Sequence, residues 1–324
     1  MNRANFPFNK EQLKNIGISK EIEKMKKILI AGGTGFVGKQ LIDFLVGKGY
    51  SIHVLTRKPS ANPSENIRFF LWDIERQYID KKAFEGVEIL INLTGANIDE
   101  KRWTNDRKKE IIDSRIKSIN LLYQYISENK FNINTFISSS AVGFYGAVTT
   151  DKTFAESSES GKDFLASVCQ QWENAALKFN DLGVRTVILR KGVILGKDGG
   201  MVKKLSPLAK LGINVSLGSG EQYLPWIDIR DLVRLYDFIL SNTQLKGIFN
   251  AVATEQITMN DFSKVLLKSF GKKSFLPNAP AFVIRLLFGE MAVMLLEGSK
   301  VSNEKLESTG FYFEFDTIEK SLCL

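Results

Sequence analysis

An α/β fold, a doubly wound parallel sheet with a small, mostly helical C-terminal lobe, is what the sequence predicts, and three observations carry it. Short apolar runs bounded by turn residues recur at positions 28–31, 52–55, 67–71, 87–93, 135–138 and 184–189. Segments with helical spacing separate them, and this alternation of periods is the pattern of parallel strands linked by crossover helices. The first run passes directly into Gly32-Gly33-Thr34-Gly35-Phe36-Val37-Gly38, a strand-to-helix turn with three glycines in register. Composition agrees: 324 residues, 44% hydrophobic and 25% charged, describe a globular chain with enough apolar material for a large core, which excludes disorder, collagen and coiled coil.

Taken in order, residues 1–24 are polar and charged, with no apolar segment of the secretory type, and read as an extension ahead of a core that begins at Met25; a cytoplasmic location is the expectation. After the first strand, positions 36–46 have helical spacing and end at Gly47 and Gly49. A helix over 106–127 places Ile111, Ile112, Ile116, Ile119 and Leu122 on one side, and another covers 163–179. From Gly192 the pattern loosens: glycines at 192, 196, 199, 200, 212, 218 and 220 mark loops able to close over a ligand. The last 70 residues read as mostly helical, with a strand near 310–315. No apolar stretch reaches 18 uncharged residues, so stable membrane insertion is not expected. Residues 278–296 come nearest and read as buried helices, peripheral membrane contact being the lesser alternative. The expected division is an extension at 1–24, a dinucleotide-type domain at 25–250 and a small C-terminal domain at 251–324.

Forty-four Lys and Arg against 36 Asp and Glu give a formal charge of +8, which favours anionic ligands, but no basic block or basic-aromatic array points to nucleic acid as a partner. His53, Cys169 and Cys323 are the whole supply of soft ligands, short of the four a structural zinc needs, so no metal is expected. A Ser-His-Asp hydrolase would have to use His53, which lies inside an apolar run of strand type.

The glycine loop carries the chemistry. One glycine permits a tight turn, one lets backbone N–H groups approach a pyrophosphate, and one lets helix and strand pack closely. The same letters nearly make a P-loop, since Gly33-x4-Gly38-Lys39 fits, but Gln40 stands where a Mg²⁺-binding hydroxyl is required. Dinucleotide binding is therefore read at Gly32, Thr34, Gly35, Phe36, Val37 and Gly38. After the second strand an acid would hold the ribose hydroxyls of NAD; here Arg57 and Lys58 follow, cations suited to the 2′-phosphate of NADP or, alternatively, a solvated basic loop. Trp72 and Asp73 end the third strand, where a carboxylate can receive the adenine amino group. Leu93, Thr94 and Gly95 form a small-residue exit from the fourth.

These residues resemble the extended short-chain dehydrogenase/reductase superfamily: GGTGFVG at 32–38, NLTGA at 92–96, SSSAVGFYG at 138–146 and LRKGVILG at 189–196, whose Arg190 joins the expected cofactor set. GANIDEKRWT (95–104), DSRI (113–116), DFLASVCQQWE (163–173), PWIDIRD (225–231) and GEMAVMLLEGSKV (289–301) resemble its atypical epimerase-family branch, from Met25 onward. The resemblance implies a Rossmann-type NADP-binding domain, a small C-terminal domain of unknown function and epimerase or oxidoreductase chemistry; some relatives are linked to plastid and cyanobacterial cell division. It also implies a tyrosine, a lysine four residues later and a Ser/Thr. Ser140 matches the last, whereas the tyrosine position holds Leu165, the lysine position holds Cys169, and Arg115 stands where a supporting asparagine is usual. Replacement candidates are Tyr145 as a phenol acid, Cys169 as a thiol, and Lys101, Arg102 and Arg115 as cations for an anionic substrate. Each has a packing or solvation alternative. Asp228 and Asp231 either bind a hydroxylated substrate or cap the following helix. Two functions stay open: an NADP(H)-dependent oxidoreductase acting on a polar small molecule, and an NADP(H)-binding regulatory protein acting through a partner protein.

Overall fold

Ile28, Leu29 and Ile30 have no exposed surface because β1 (Lys27–Ala31) lies inside an eight-stranded sheet covered by helices on both faces. The computed structural model describes residues 26–59 and 65–323, so the expected extension at 1–24 lies outside the described residues. The helix α1 (Phe36–Gly47) returns the chain to β2 (Ser51–Thr56), which pairs with β3 (Ile67–Asp73), and β4 (Tyr78–Ile79) closes that edge antiparallel to β3. The chain then crosses to the other side of β1 with β5 (Val87–Asn92), and α2 (Asn105–Asn129) leads to β6 (Thr135–Ala141). Past a short bridge strand β7 (Thr153–Phe154), α3 (Phe164–Leu177) leads to β8 (Arg185–Lys191). Strands β9 (Val193–Gly196) and β10 (Trp226–Asp228) form a small parallel pair, with α4 (Gly200–Lys210) between them, and α5 (Ile229–Ser241) leads to β11 (Gly247–Ala251). The order across the sheet is β11-β8-β6-β5-β1-β2-β3-β4.

Two apolar layers sandwich this sheet. Ile28, Ile30, Ile137, Val187 and Leu189 face α1 and α5, while Leu29, Leu90, Phe136 and Ile188 face α2 and α3, as the period of two requires. The long helices begin on side-chain caps: Thr104 accepts from the Arg107 N–H, Asp163 from Ala166 and Asp228 from Arg230, so Asp228 is a cap.

The C-terminal part carries α6 (Met259–Ser269), α7 (Ala281–Phe288), α8 (Val293–Leu296), β12 (Lys300–Val301), α9 (Glu304–Glu307) and α10 (Ile318–Leu322), with β12 paired to β7. Two expectations are corrected here. Residues 310–315 are not a strand; Phe311 and Phe313 plug the core, and the N–H groups of Glu314 and Phe315 donate to the buried carboxylate of Asp231 at 3.1 and 2.8 Å, which takes the place of a ladder. Nor is 278–296 wholly buried: Ile284 faces inward, but Phe282 and Leu286 on α7 are more than 70% exposed. No helix among the described residues is long and apolar enough to cross a membrane.

Candidate cofactor cleft and active site

The chain reverses its direction of growth between β1 and β5, and at such a switch point the strand exits part to leave a crevice. Gly32, at φ +79°, turns β1 away; a Cβ there would stand 2.8 Å from the Leu93 carbonyl carbon and 2.9 Å from the Thr94 nitrogen, so only glycine lets the two exits approach. Gly38 packs so closely on Gly33 that its Cβ would lie 2.5 Å from the Gly33 Cα. Gly35 differs: the nearest atom to its Cβ position is the Gly32 oxygen at 3.5 Å, and the residue is exposed beside Thr34. It is the N-cap of α1, which has no capping side chain and no acid in its first turn, leaving unpaired N–H groups and a positive dipole end for an anion. Phe36 packs under Gly196, Gly199 and Gly200, so the glycine-rich loops do close over this turn. Beside it, at the exit of β5, the buried Asn92 Nδ2 and Thr94 Oγ1 have no hydrogen-bond partner among the described residues. The uncapped helix, the glycine cradle and these orphaned polar atoms fit a dinucleotide.

Arg57 and Lys58 are exposed at the exit of β2, and neither has an ion-pair partner among the described residues. Trp72 and Asp73 both fall inside the next strand. Both pair antiparallel with β4, Trp72 opposite Ile79 and Asp73 opposite Tyr78, and the Trp72 side chain packs in the core. Asp73 folds back to accept the N–H groups of Glu75 and Arg76 at 3.0 and 3.1 Å.

Ser140, Tyr145 and Arg190 meet in one buried network at the exits of β6 and β8. Arg190 forks onto Glu173, Nε to Oε1 and Nη2 to Oε2 both at 2.8 Å, and its guanidinium lies 3.4 Å above the Phe144 ring. Ser140 donates to Glu173 Oε1 at 2.6 Å. The Tyr145 hydroxyl donates to Asn250 Oδ1 at 2.7 Å and accepts from Arg190 Nη1 at 3.1 Å, and burial raises its pKa. Ser140, Tyr145 and Arg190 are thus bonded to one another through Glu173 and Asn250. Cys169 is buried too; desolvation and the neighbouring Glu173 push its thiol up to about 12, which leaves it a neutral packing group.

Arg115 is different. It lies 8% exposed over Gly95, whose Cβ would stand 3.0 Å from the guanidinium carbon, and stacks 4.8 Å above Trp172. It donates to the Ile111 carbonyl at 2.8 Å, no carboxylate among the described residues pairs with it, and burial pulls it down to about 10. Nearby, at the exit of β8, is a residue that the motif reading passed over. Lys191 Nζ donates to Ser139 Oγ at 2.8 Å and has no ion-pair partner among the described residues; burial, helped by the charge of Arg115, brings it down to about 8. A lysine at a strand exit just before a glycine is the signal that could have found it. The loop beneath is held by Arg107, which donates to the Asn97 carbonyl and pairs with Glu100 at 3.3 Å and Glu110 at 2.6 Å, while Trp103 donates to Ile98 at 2.9 Å. Lys101 and Arg102 are on its exposed side. His53, held by the Ala83 carbonyl at 2.8 Å, is buried inside β2.

Residues 28–251 match the model of the NAD dependent epimerase/dehydratase family, and residues 279–323 match a domain of unknown function, DUF1731. The chain is 34% identical over 310 residues to a chloroplastic epimerase family protein SDR39U1 homolog of Arabidopsis thaliana, covering 94% of this chain and 88% of the relative. It is 31% identical over 300 residues to epimerase family protein SDR39U1 of Mus musculus, covering 91% and 98%. The crystal structure of human epimerase family protein SDR39U1 with NADPH superposes with a TM-score of 0.80 at 27% identity, covering 92% of this chain and 98% of that one.

Proposed function

Because the chain belongs to the NAD dependent epimerase/dehydratase family, we propose that it is an NADP(H)-dependent oxidoreductase acting on a small, polar, anionic carbonyl or hydroxyl compound, with Arg115 and Lys191 in place of the usual tyrosine–lysine pair. The observation that carries this reading is a buried cation, Arg115, beside the exit of β5 and a half-buried one, Lys191, at the exit of β8, neither with a carboxylate partner among the described residues. Unpaired buried charge is costly, and an anionic ligand relieves it.

The Gly35 turn and the first turn of α1 hold the pyrophosphate, and Arg57 with Lys58 selects the 2′-phosphate. The nicotinamide supplies the hydride. Arg115 holds the substrate's anionic group, its guanidinium oriented by Trp172 and the Ile111 carbonyl. Lys191 Nζ, steadied by Ser139, holds a proton for the developing alkoxide, and a group brought down to about 8 is matched to that task near neutrality. The Glu173–Arg190 network keeps β6 and β8 in register behind them.

Calorimetry with NADPH and NADH, followed by NADPH consumption over paired anionic and neutral carbonyl compounds, tests the reading. Tighter NADPH binding and turnover confined to anionic compounds are expected. Equal affinity for the two cofactors, or neutral aldehydes reduced as fast as keto acids, refutes it.

A further inference from the structure

Eleven large apolar side chains are exposed among the described residues, and seven of them fall in two segments, 199–220 and 262–289. The segments are joined. Asn214 Nδ2 donates to the Leu276 carbonyl at 3.1 Å, the Gly218 N–H to Ala279 at 2.8 Å, and the Ala279 N–H to Ser216 at 3.0 Å. On these joined segments Leu211, Phe275, Phe282 and Leu286 are each at least 71% exposed.

The charge of these segments is as one-sided as their apolarity. They contain eight Lys and Arg and no Asp or Glu, and the rest of the chain then holds 36 of each sign, so the whole formal charge of +8 resides here. Lys204 pairs with Asp99 and Lys264 with Asp261. The other six, Lys203, Lys210, Lys268, Lys272, Lys273 and Arg285, are exposed and have no ion-pair partner among the described residues. Apolar side chains standing proud of a cationic rim are the chemistry of a surface that inserts shallowly between anionic headgroups. A second copy fits poorly, because a two-fold contact would press the same basic rim against itself. Nucleic acid would use the cations but leave Phe275 and Leu286 in water.

We propose that this face docks reversibly on an anionic lipid bilayer, with Phe275, Phe282 and Leu286 entering the interface and the lysine rim on the headgroups. Flotation of the full chain tests it, with vesicles of phosphatidylcholine alone and of phosphatidylcholine mixed with phosphatidylglycerol. The protein floats with the mixed vesicles, is released by salt, and stays behind with phosphatidylcholine alone. Lys272→Glu with Lys273→Glu, and separately Phe275→Ser with Phe282→Ser, each lower partitioning by about tenfold or more. Both variants change solvated side chains only, so their NADPH affinity and thermal unfolding stay at the wild-type values. Three results overturn the proposal: no flotation of the wild type; a dimer in solution that Phe275→Ser with Phe282→Ser dissolves; or binding to a DNA duplex that needs Lys272 and Lys273 but not Phe275.

Discussion

Removing the carboxylate of Glu173 is the sharpest test of how the strand exits are held. In Glu173→Ala the Arg190 guanidinium, 2% exposed at its side chain, loses both bonds of its fork, and Ser140 loses its acceptor. Truncating one member of a buried ion pair leaves an uncompensated charge and costs about 3–5 kcal/mol. Folded domains are stable by roughly 5–15 kcal/mol, so this is a large share of the whole. Urea unfolding followed by circular dichroism should show a lower midpoint with an unchanged slope, since the surface exposed on unfolding is the same. Glu173→Leu combined with Arg190→Met removes both charges and keeps apolar volume over Phe144; it should lose clearly less than the single variant. A single-variant cost under about 1 kcal/mol, or a double variant as unstable as the single, would show that the pair does not hold β6 to β8. Loss of NADPH affinity in folded Arg190→Met would return Arg190 to the cofactor site.

The remaining tests bear on the crevice. Gly35→Val should abolish NADPH binding while the chain still folds, because its Cβ position borders open space, whereas Gly38→Ala, 2.5 Å from the Gly33 Cα, should lower the thermal midpoint; a Gly35→Val protein that still quenches NADPH fluorescence would defeat the cradle. Arg57→Ala should cost NADPH about ten- to a hundredfold in affinity by calorimetry and leave NADH unchanged. For Lys191 the sign follows from the acid form: the ammonium exists below about 8, so kcat/KM for carbonyl reduction is flat at lower pH and falls tenfold per unit above it. Lys191→Met should lose about 10² to 10⁴ in rate together with that inflection; an unchanged pH profile refutes the assignment. A thiol reagent at neutral pH should label one cysteine of the native protein, the exposed Cys323, and two in urea; rapid labelling of Cys169 would contradict its burial.

What was legible in the sequence was local. The six apolar runs and the glycine turn announce themselves by spacing, and each became a strand or a helix start within a residue or three of its expected bounds. What was hidden depends on partners far along the chain. The bond of Tyr145 to Asn250, 105 residues later, and the fork of Arg190 onto Glu173 are partnerships that spacing along the chain does not display. The last strand of the sheet, Gly247–Ala251, carries a fully buried asparagine that breaks the apolar pattern of a strand, because Asn250 serves Tyr145 and the Ser302 carbonyl. Lys191, on β8, draws its lowered pKa from burial and from Arg115 on α2, neither of which a run of letters displays. The exposed face of α7 was missed for the opposite reason: an apolar stretch reads as core whether or not the fold supplies anything to cover it.

The two aspartates at the start of α5 bear on how the chain is made. Asp228 and Asp231 are buried, and their partners include Ser321, 93 residues on, and the N–H groups of Glu314 and Phe315. Every strand of the large sheet has been synthesised by residue 251, well before those partners exist. In the interval Asp231 has only Arg234, and the core stands open where Phe311 and Phe313 will sit. A nascent chain at that stage has a nearly complete sheet whose core is uncovered, so the late segment acts as a latch on it. Shortening the chain ahead of residue 311 should therefore yield a client of chaperones and proteases rather than a smaller working domain.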